Sequence, residues 1–456
     1  MKQSSLPCMK IILIVFALAI STQSSVSARS WTNAQGKTVE AEMTSHDGIS
    51  VSLRLGSGKV VSVPIATLSA EDQAFIKIQP EISIPPESVT PAEQRIWPDL
   101  VTIPNSELEK VTIEKTAEFF IYRSPSFEFT CSANLLPALT KEIPRTFEAT
   151  KRLIDALPWG ITCRPPAGRE RFLAALYPKR EDYERAGGPS NSGGVYMSKD
   201  KTFRIPFESL GIRKVGESYT RDKDFDNDTL VHEITHQMMD EYLPFLPKWA
   251  VEGTAELTGM LPYKTGTFRS GDHRKGLVDY LARPRIKGTK VEFPDLDTLF
   301  RMTRSEWDKQ SSRFYSGGNS DRQRELYEQS ALLVYYFNFL DAEPPTQGRR
   351  WIRFMDAVKG EIGKWNEYQA AFDTYRKDMD EFMKLPGVRQ LEGARFSYPQ
   401  GFTPPSPPAS PDGQGKIYSE QTPFKHVDIL LDGRSLEQVS EDIRLKFSQS
   451  RIKLNE

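Results

Sequence analysis

The chain has 456 residues, more than one compact core holds, so two or three domains are expected. Lys+Arg number 60 against 61 Asp+Glu, and no basic block of the kind that neutralises phosphates occurs, which argues against a nucleic-acid-binding protein. A hydrophobic fraction of 38% excludes a wholly disordered chain, while 32 prolines point to long connectors.

At the N-terminus, Lys2 and Lys10 flank a polar start, Ile11 to Ile20 form an unbroken apolar run, and small residues follow to Ala28. This is the layout of a secretory signal peptide over residues 1–28. The run falls short of the ~18–20 residues that a bilayer span needs, which disfavours a membrane anchor. Cys8 precedes the run and is badly placed for lipid attachment at a cleavage site. The expected mature protein is therefore exported, secreted or held in the periplasm or cell envelope, with no transmembrane span. Cleavage removes two lysines and no acids, moving the formal charge from −1 to −3.

Residues 29–79 alternate apolar and polar residues between "HDG" and "GSG" turns, which predicts five short strands in a small barrel. "SAEDQAFI" closes it with a helical turn, Ser69 and Asp72 standing in a capping-box-like relation. The stretches "RSWTNAQGKTVEAE", "GKVVSVPIATLS" and "AEDQAFI" resemble the first homology domain of the Sla endocytic adaptors, an SH3-like fold. The resemblance implies a binding or spacer module for peptide or envelope polymer; a purely structural appendage is the alternative.

Pro80, Pro85, Pro86, Pro91, Pro98 and Pro104 mark residues 80–115 as a linker. A larger domain is expected over 116–395. "EFFIYRS", "FEFTC", "RFLAALYP" and "GGVYMSKDKTFRIPF" read as strands, and after Thr229 the periodicity is helical almost throughout. Strands first and helices afterwards predict an α+β domain with a mainly helical C-terminal half. Residues 396–423 are Pro/Gly/Ser-rich and read as a second linker, and the tail 424–456 holds one amphipathic helix, "SLEQVSEDIRLKF". Cys131 and Cys163 sit in or after short extended pieces. In an oxidising compartment they permit one disulfide, contributing about 3–4 kcal/mol, with two buried free thiols as the alternative.

The chemistry concentrates in "NDTLVHEITHQMMDEYLPFLPKWAVEGTAELTG", Asn227 to Gly259. His232 and His236 are four apart, and Asn227, Asp228 and Thr229 offer cap chemistry just before them. On one helix face their Cβ atoms stand about 5–6 Å apart. Both rings then reach one cation at about 2.0–2.1 Å, with Glu233 beside them as a base acting on water. A catalytic zinc needs a third protein ligand. Glu252 and Glu256, also four apart, supply candidates on a second helix, reached through the two-proline loop "EYLPFLPK". Glu252 is assigned as ligand and Glu256 as acceptor for a histidine N–H; since both face the same way, the opposite assignment stays open. Gly253 is expected to let this helix pack close to the first.

These motifs resemble those of gluzincin metallopeptidases, the group containing thermolysin and the aminopeptidase N family. "EG-x-A" around Glu252 is similar to the aminopeptidase N motif whose glutamate is the third ligand, and the E-x-x-x-E to thermolysin's E-x-x-x-D, whose last member supports a histidine. In "LYEQSALLVYYF", Tyr327 matches the tyrosine that stabilises the oxyanion in the aminopeptidases; packing in the core is its alternative role. The resemblance implies a zincin-like fold over 116–395, one Zn²⁺, and a peptide or protein substrate. The chain departs from the family in two places. Fifteen residues separate His236 from Glu252, fewer than in aminopeptidase N, and the "GAMEN" segment that anchors a free amino terminus is missing. "SGGVY" stands in its stead, with Gly193, Gly194, Val195 and Tyr196 on an expected edge strand facing substrate. The span also resembles an uncharacterised gluzincin-like family of exported bacterial proteins. Two rival readings stay open: a catalytically inactive zincin-like binding protein of the envelope, and a zinc hydrolase of non-peptide amide bonds. A Ser/His/Asp hydrolase is disfavoured, because none of the other histidines lies near a G-x-S-x-G turn.

Overall fold

The computed structural model describes residues 29–33, 36–46, 50–55, 60–78, 94–109, 111–190, 192–222, 224–283, 295–311, 320–344, 346–391, 395–413, 415 and 419–452. The expected signal peptide and the stretch 80–93 lie outside them. The chain divides into two compact units, Met1–Val89 and Thr90–Glu456. No helix among the described residues is long and apolar enough to cross a membrane.

The first unit is an antiparallel meander of β1 (Arg29–Thr32), β2 (Thr38–His46), β3 (Ser50–Leu55) and β4 (Val60–Pro64), followed by α1 (Ala70–Ile78). Trp31, Ala41, Met43, Val51, Leu53, Leu68 and Ile76 form its core. The expected five-stranded closed barrel is not formed: among the described residues there are four strands in an open sheet. Pro64, which has no N–H to give a ladder, ends the fourth, and residues 65–67 coil into a single 3₁₀ turn. A lone bridge between Asn33 and Leu68 ties that turn back to the end of β1. Only half of the expected capping box is present. The Asp72 N–H donates to Ser69 Oγ at 3.2 Å, but the Asp72 carboxylate accepts from Thr32 N at 2.7 Å and from Arg29 at 2.8 Å.

In the second unit come β5 (Val101–Thr102), α2 (Asn105–Leu108), β6 (Thr112–Lys115), β7 (Phe120–Arg123), β8 (Phe127–Cys131), α3 (Leu139–Ala156), β9 (Phe172–Tyr177), α4 (Arg180–Arg185), β10 (Val195–Met197) and β11 (Thr202–Pro206). Six of these strands form one mixed sheet in the order β10-β11-β9-β8-β7-β6. β8, β9 and β11 run parallel, while β10, β7 and β6 are antiparallel to their neighbours. α3 makes the crossover that a parallel β8–β9 pair requires. Burial alternates along β8 and β9, so one face is apolar. There Phe127, Phe129 and Phe203 meet Phe147 of α3 at ring-centroid distances of 4.9–5.7 Å. Each such fully buried ring contributes about 1.5–3 kcal/mol.

A small hairpin of β12 (Ile212–Val215) and β13 (Ser218–Arg221) leads into the helical half. That half contains α5 (Asp228–Met238), α6 (Lys248–Gly259), a short hairpin of β14 (Tyr263–Lys264) and β15 (Thr267–Phe268), α7 (His273–Leu281), α8 (Leu296–Leu299), α9 (Arg304–Ser311), α10 (Ser320–Phe339), α11 (Arg349–Met383), α12 (Asp428–Leu431) and α13 (Leu436–Gln449). Residues 331–337 of α10 are buried on every side, so this helix is the axis of the layer.

Two expected boundaries move. Residues 94–115 are not a linker: β5 pairs with β15, Ile103 and Leu108 are buried, and Trp97 Nε1 donates to Ser270 O at 2.8 Å. Nor do residues 424–452 of the expected tail 424–456 stand apart, because Val427, Leu430, Val439, Ile443 and Phe447 belong to the same core as the sheet. Its helix α13 carries a complete capping box between Ser435 and Gln438. Cys131 and Cys163 are buried free thiols, so the expected bridge is absent. Each sulfur meets backbone instead, Cys131 Sγ accepting from Ala133 N and Cys163 Sγ facing Lys151 O of α3. Burial pushes the Cys131 thiol up to about 12 and Cys163 well above its usual range, which disfavours the reactive thiolate in both.

Gly253 serves a different neighbour from the one expected. A Cβ there would meet Ser330 O of α10 at 2.3 Å, whereas the close approach of α6 to α5 falls at Gly259, whose Cβ would lie 2.8 Å from Asp228 O. Gly253→Ala is expected to destabilise the protein by about 1–3 kcal/mol, seen as a lower urea midpoint. Gly363→Ala on α11, where a Cβ meets open space, is the control and should be neutral or slightly stabilising.

Candidate metal centre

α5 is held on the sheet by its apolar side, with Leu230, Val231 and Ile234 buried, and by Gln237 Nε2 donating to Leu173 O of β9 at 2.9 Å. Its start is capped differently from the expected way. Asn227 makes no cap bond and its side-chain oxygen accepts from Arg221; Asp226 accepts from Asp228 N at 2.9 Å instead. A 3₁₀ turn at Leu243–Phe245 reverses the chain into α6. Trp249 then anchors α6, stacked on Phe300 at 5.3 Å, and the Thr235 and Thr258 hydroxyls join α5 to α6 at 2.7 Å.

This packing faces His232, His236 and Glu252 toward one another, the three being close enough to hold a metal ion. The two Nε2 atoms are 3.1 Å apart, and each lies 3.3 Å from Glu252 Oε2. A tetrahedral cation about 2.0–2.1 Å from each ligand sets ligand–ligand edges of about 3.3–3.4 Å. Glu252 Oε2 is buried without a hydrogen-bond partner. An orphaned buried carboxylate oxygen is costly, and a cation between the three atoms removes that cost. The donor set therefore fits a metal ion, and two imidazoles with one carboxylate suit zinc.

Around this triangle stand the other expected residues. Glu256 Oε1 lies 3.2 Å from His232 Nδ1, the contact that orients a ligand ring; burial and then the Glu256 charge push the Tyr280 hydroxyl pKa well above its usual range. Burial disfavours a charged His232, but Glu252 and Glu256 outweigh it and hold its pKa well above the usual range. Burial likewise raises Glu252, yet Lys248 and the two histidines carry it well below the carboxylate range. Burial dominates at Glu233 and raises its pKa against the pull of both histidines. The Tyr327 ring stacks on His232 at 5.9 Å, braced from behind by Trp307 of α9. Burial, then Glu252 and Glu233, push its hydroxyl pKa well up, which keeps it protonated.

Val195 and Tyr196 lie on β10, the edge strand of the six-stranded sheet. Gly193 and Gly194 precede it at close approaches: a Cβ on Gly193 would meet Thr229 of α5 at 2.9 Å, and one on Gly194 would meet Phe203 at 3.0 Å. Cys131 and Cys163 take no part in the site. Lys248, Tyr280 and Trp307 were not singled out from the sequence. Lys248 alone left a signal there, four residues before Glu252.

No protein-family model matches the chain, and no curated protein matches it. The gluzincin-like and Sla-type resemblances thus rest on the motifs themselves.

Saturating zinc is expected to raise the melting temperature of wild-type protein stripped with a chelator. The gain corresponds to about 2.7 kcal/mol at a hundredfold excess over Kd. In Glu252→Ala that zinc-dependent increment should vanish, which calorimetry with and without zinc will show.

Proposed function

We propose that the chain is an exported zinc-dependent metallopeptidase that hydrolyses peptide bonds, with His232, His236 and Glu252 holding the ion. The observation that carries this reading is the buried, unpartnered Glu252 Oε2, 3.3 Å from both imidazole Nε2 atoms. When bound, zinc would supply Lewis acidity that polarises a carbonyl and acidifies water.

The chain's own groups supply the remainder. Glu233, whose burial raises its proton affinity, takes a proton from the attacking water and returns it to the departing amine. Glu256 keeps the His232 ring in the tautomer that presents Nε2, by accepting from Nδ1. Tyr327, protonated and beside His232, donates to the oxygen that gains charge as the carbonyl is attacked. β10, at the sheet edge, offers unpaired backbone to an extended substrate.

Glu233→Gln is expected to retain one zinc per chain and lose activity by about 10²–10⁴-fold on a mixed peptide library followed by mass spectrometry. Undiminished hydrolysis would remove Glu233 from the role, and products from non-peptide amides alone would replace the substrate class. Tyr327→Phe should lower kcat by about 10²–10³-fold with KM nearly unchanged. A preserved kcat would leave Tyr327 as a packing residue.

A further inference from the structure

Building on the metallopeptidase reading, we propose that Lys248 is a positioning residue that fixes Glu252 as a one-oxygen ligand. The Lys248 ammonium pairs with Glu252 Oε1, while Oε2 is the oxygen turned to the two histidines. The two oxygens of one carboxylate thus have separate duties, one neutralised by a cation of the protein and one left for the metal.

Helix energetics alone do not account for this lysine. Lys248 is the first residue of α6, whose first turn carries no acidic residue. A cation there opposes the helix dipole, and Lys preceding Glu by four is the weaker order for an intrahelical pair. The pair is nevertheless withdrawn from solvent, with the Lys248 side chain 24% and the Glu252 side chain 3% exposed. In such surroundings a charge–charge contact is strong and directional.

The consequence is for coordination. A carboxylate with both oxygens free can take two positions around a cation, and a catalytic site needs a position kept for water and substrate. With Oε1 held by Lys248, Glu252 offers Oε2 alone. Removing the ammonium frees Oε1 to swing onto the ion and close that position.

Full-length wild type, Lys248→Met and Lys248→Arg, each loaded with zinc, should be compared by X-ray absorption at the zinc edge, with peptide-library turnover alongside. In Lys248→Met one zinc per chain is expected to remain, with one additional oxygen in its shell and turnover lower by about 10–100-fold. Lys248→Arg should restore the wild-type shell. One zinc per chain with identical shells in wild type and Lys248→Met would overturn the assignment while leaving the metallopeptidase reading intact. Failure of wild type to bind zinc would overturn both. If Lys248→Met does not fold by circular dichroism, Lys248→Ala with added ethylammonium is the second arm. Loss of the extra oxygen on adding the amine supports the assignment, and an unchanged shell overturns it.

Discussion

One buried oxygen organises this molecule. Glu252 Oε2 lies between two imidazoles, shielded from water, and a carboxylate oxygen in that position is stable only if positive charge faces it. Holding it there requires α5 and α6 to stay in register. The Thr235–Thr258 hydroxyl contact, the missing side chain at Gly259 and the Trp249 stack on Phe300 each fix that register at a different height. The sheet enters the same chain of dependence through Gln237, which ties the histidine helix to β9.

Glu233, Glu252 and Glu256 surround the histidines, and Lys248 pairs with Glu252 among them. With the rings neutral, these four side chains sum to −2, the charge that one divalent ion cancels. The same carboxylates raise the His232 ring's affinity for a proton, although one proton cancels only part of that charge. A metal ion and that proton compete for the same place.

The helical spacing of His232, His236, Glu252 and Glu256 could be read from the sequence because i,i+4 geometry is local and repeats wherever a helix forms. The strand-first, helix-later order was readable for the same reason, since periodicity is a short-range property. Long-range partners were not. The prolines of 94–115 suggested a connector, but Pro98 and Pro104 bracket the apolar run of Val101 and Ile103, whose burial depends on β15 more than 160 residues away. The alternation that continued through Pro64 suggested a fifth strand, yet a residue without an N–H ends the ladder there. The expectation that Gly253 serves the contact with α5 fails because its neighbour is α10, a partner that local spacing does not reveal. The S-x-x-Q of Ser435 and Gln438 was a readable cap that the amphipathic pattern around it overshadowed.

α6 is wedged between two helices, with Gly259 against α5 and Gly253 against α10. Tyr327 of α10 in turn lies over His232 of α5. The three helices therefore close a mechanical loop in which none can slide without carrying the other two. Divergent copies of this chain could exchange surface segments freely, yet mutation at residues 253 and 259 would find almost no tolerated alternative to glycine. Those two positions should drift more slowly than much of the bulky core around them, although neither bears a reactive atom.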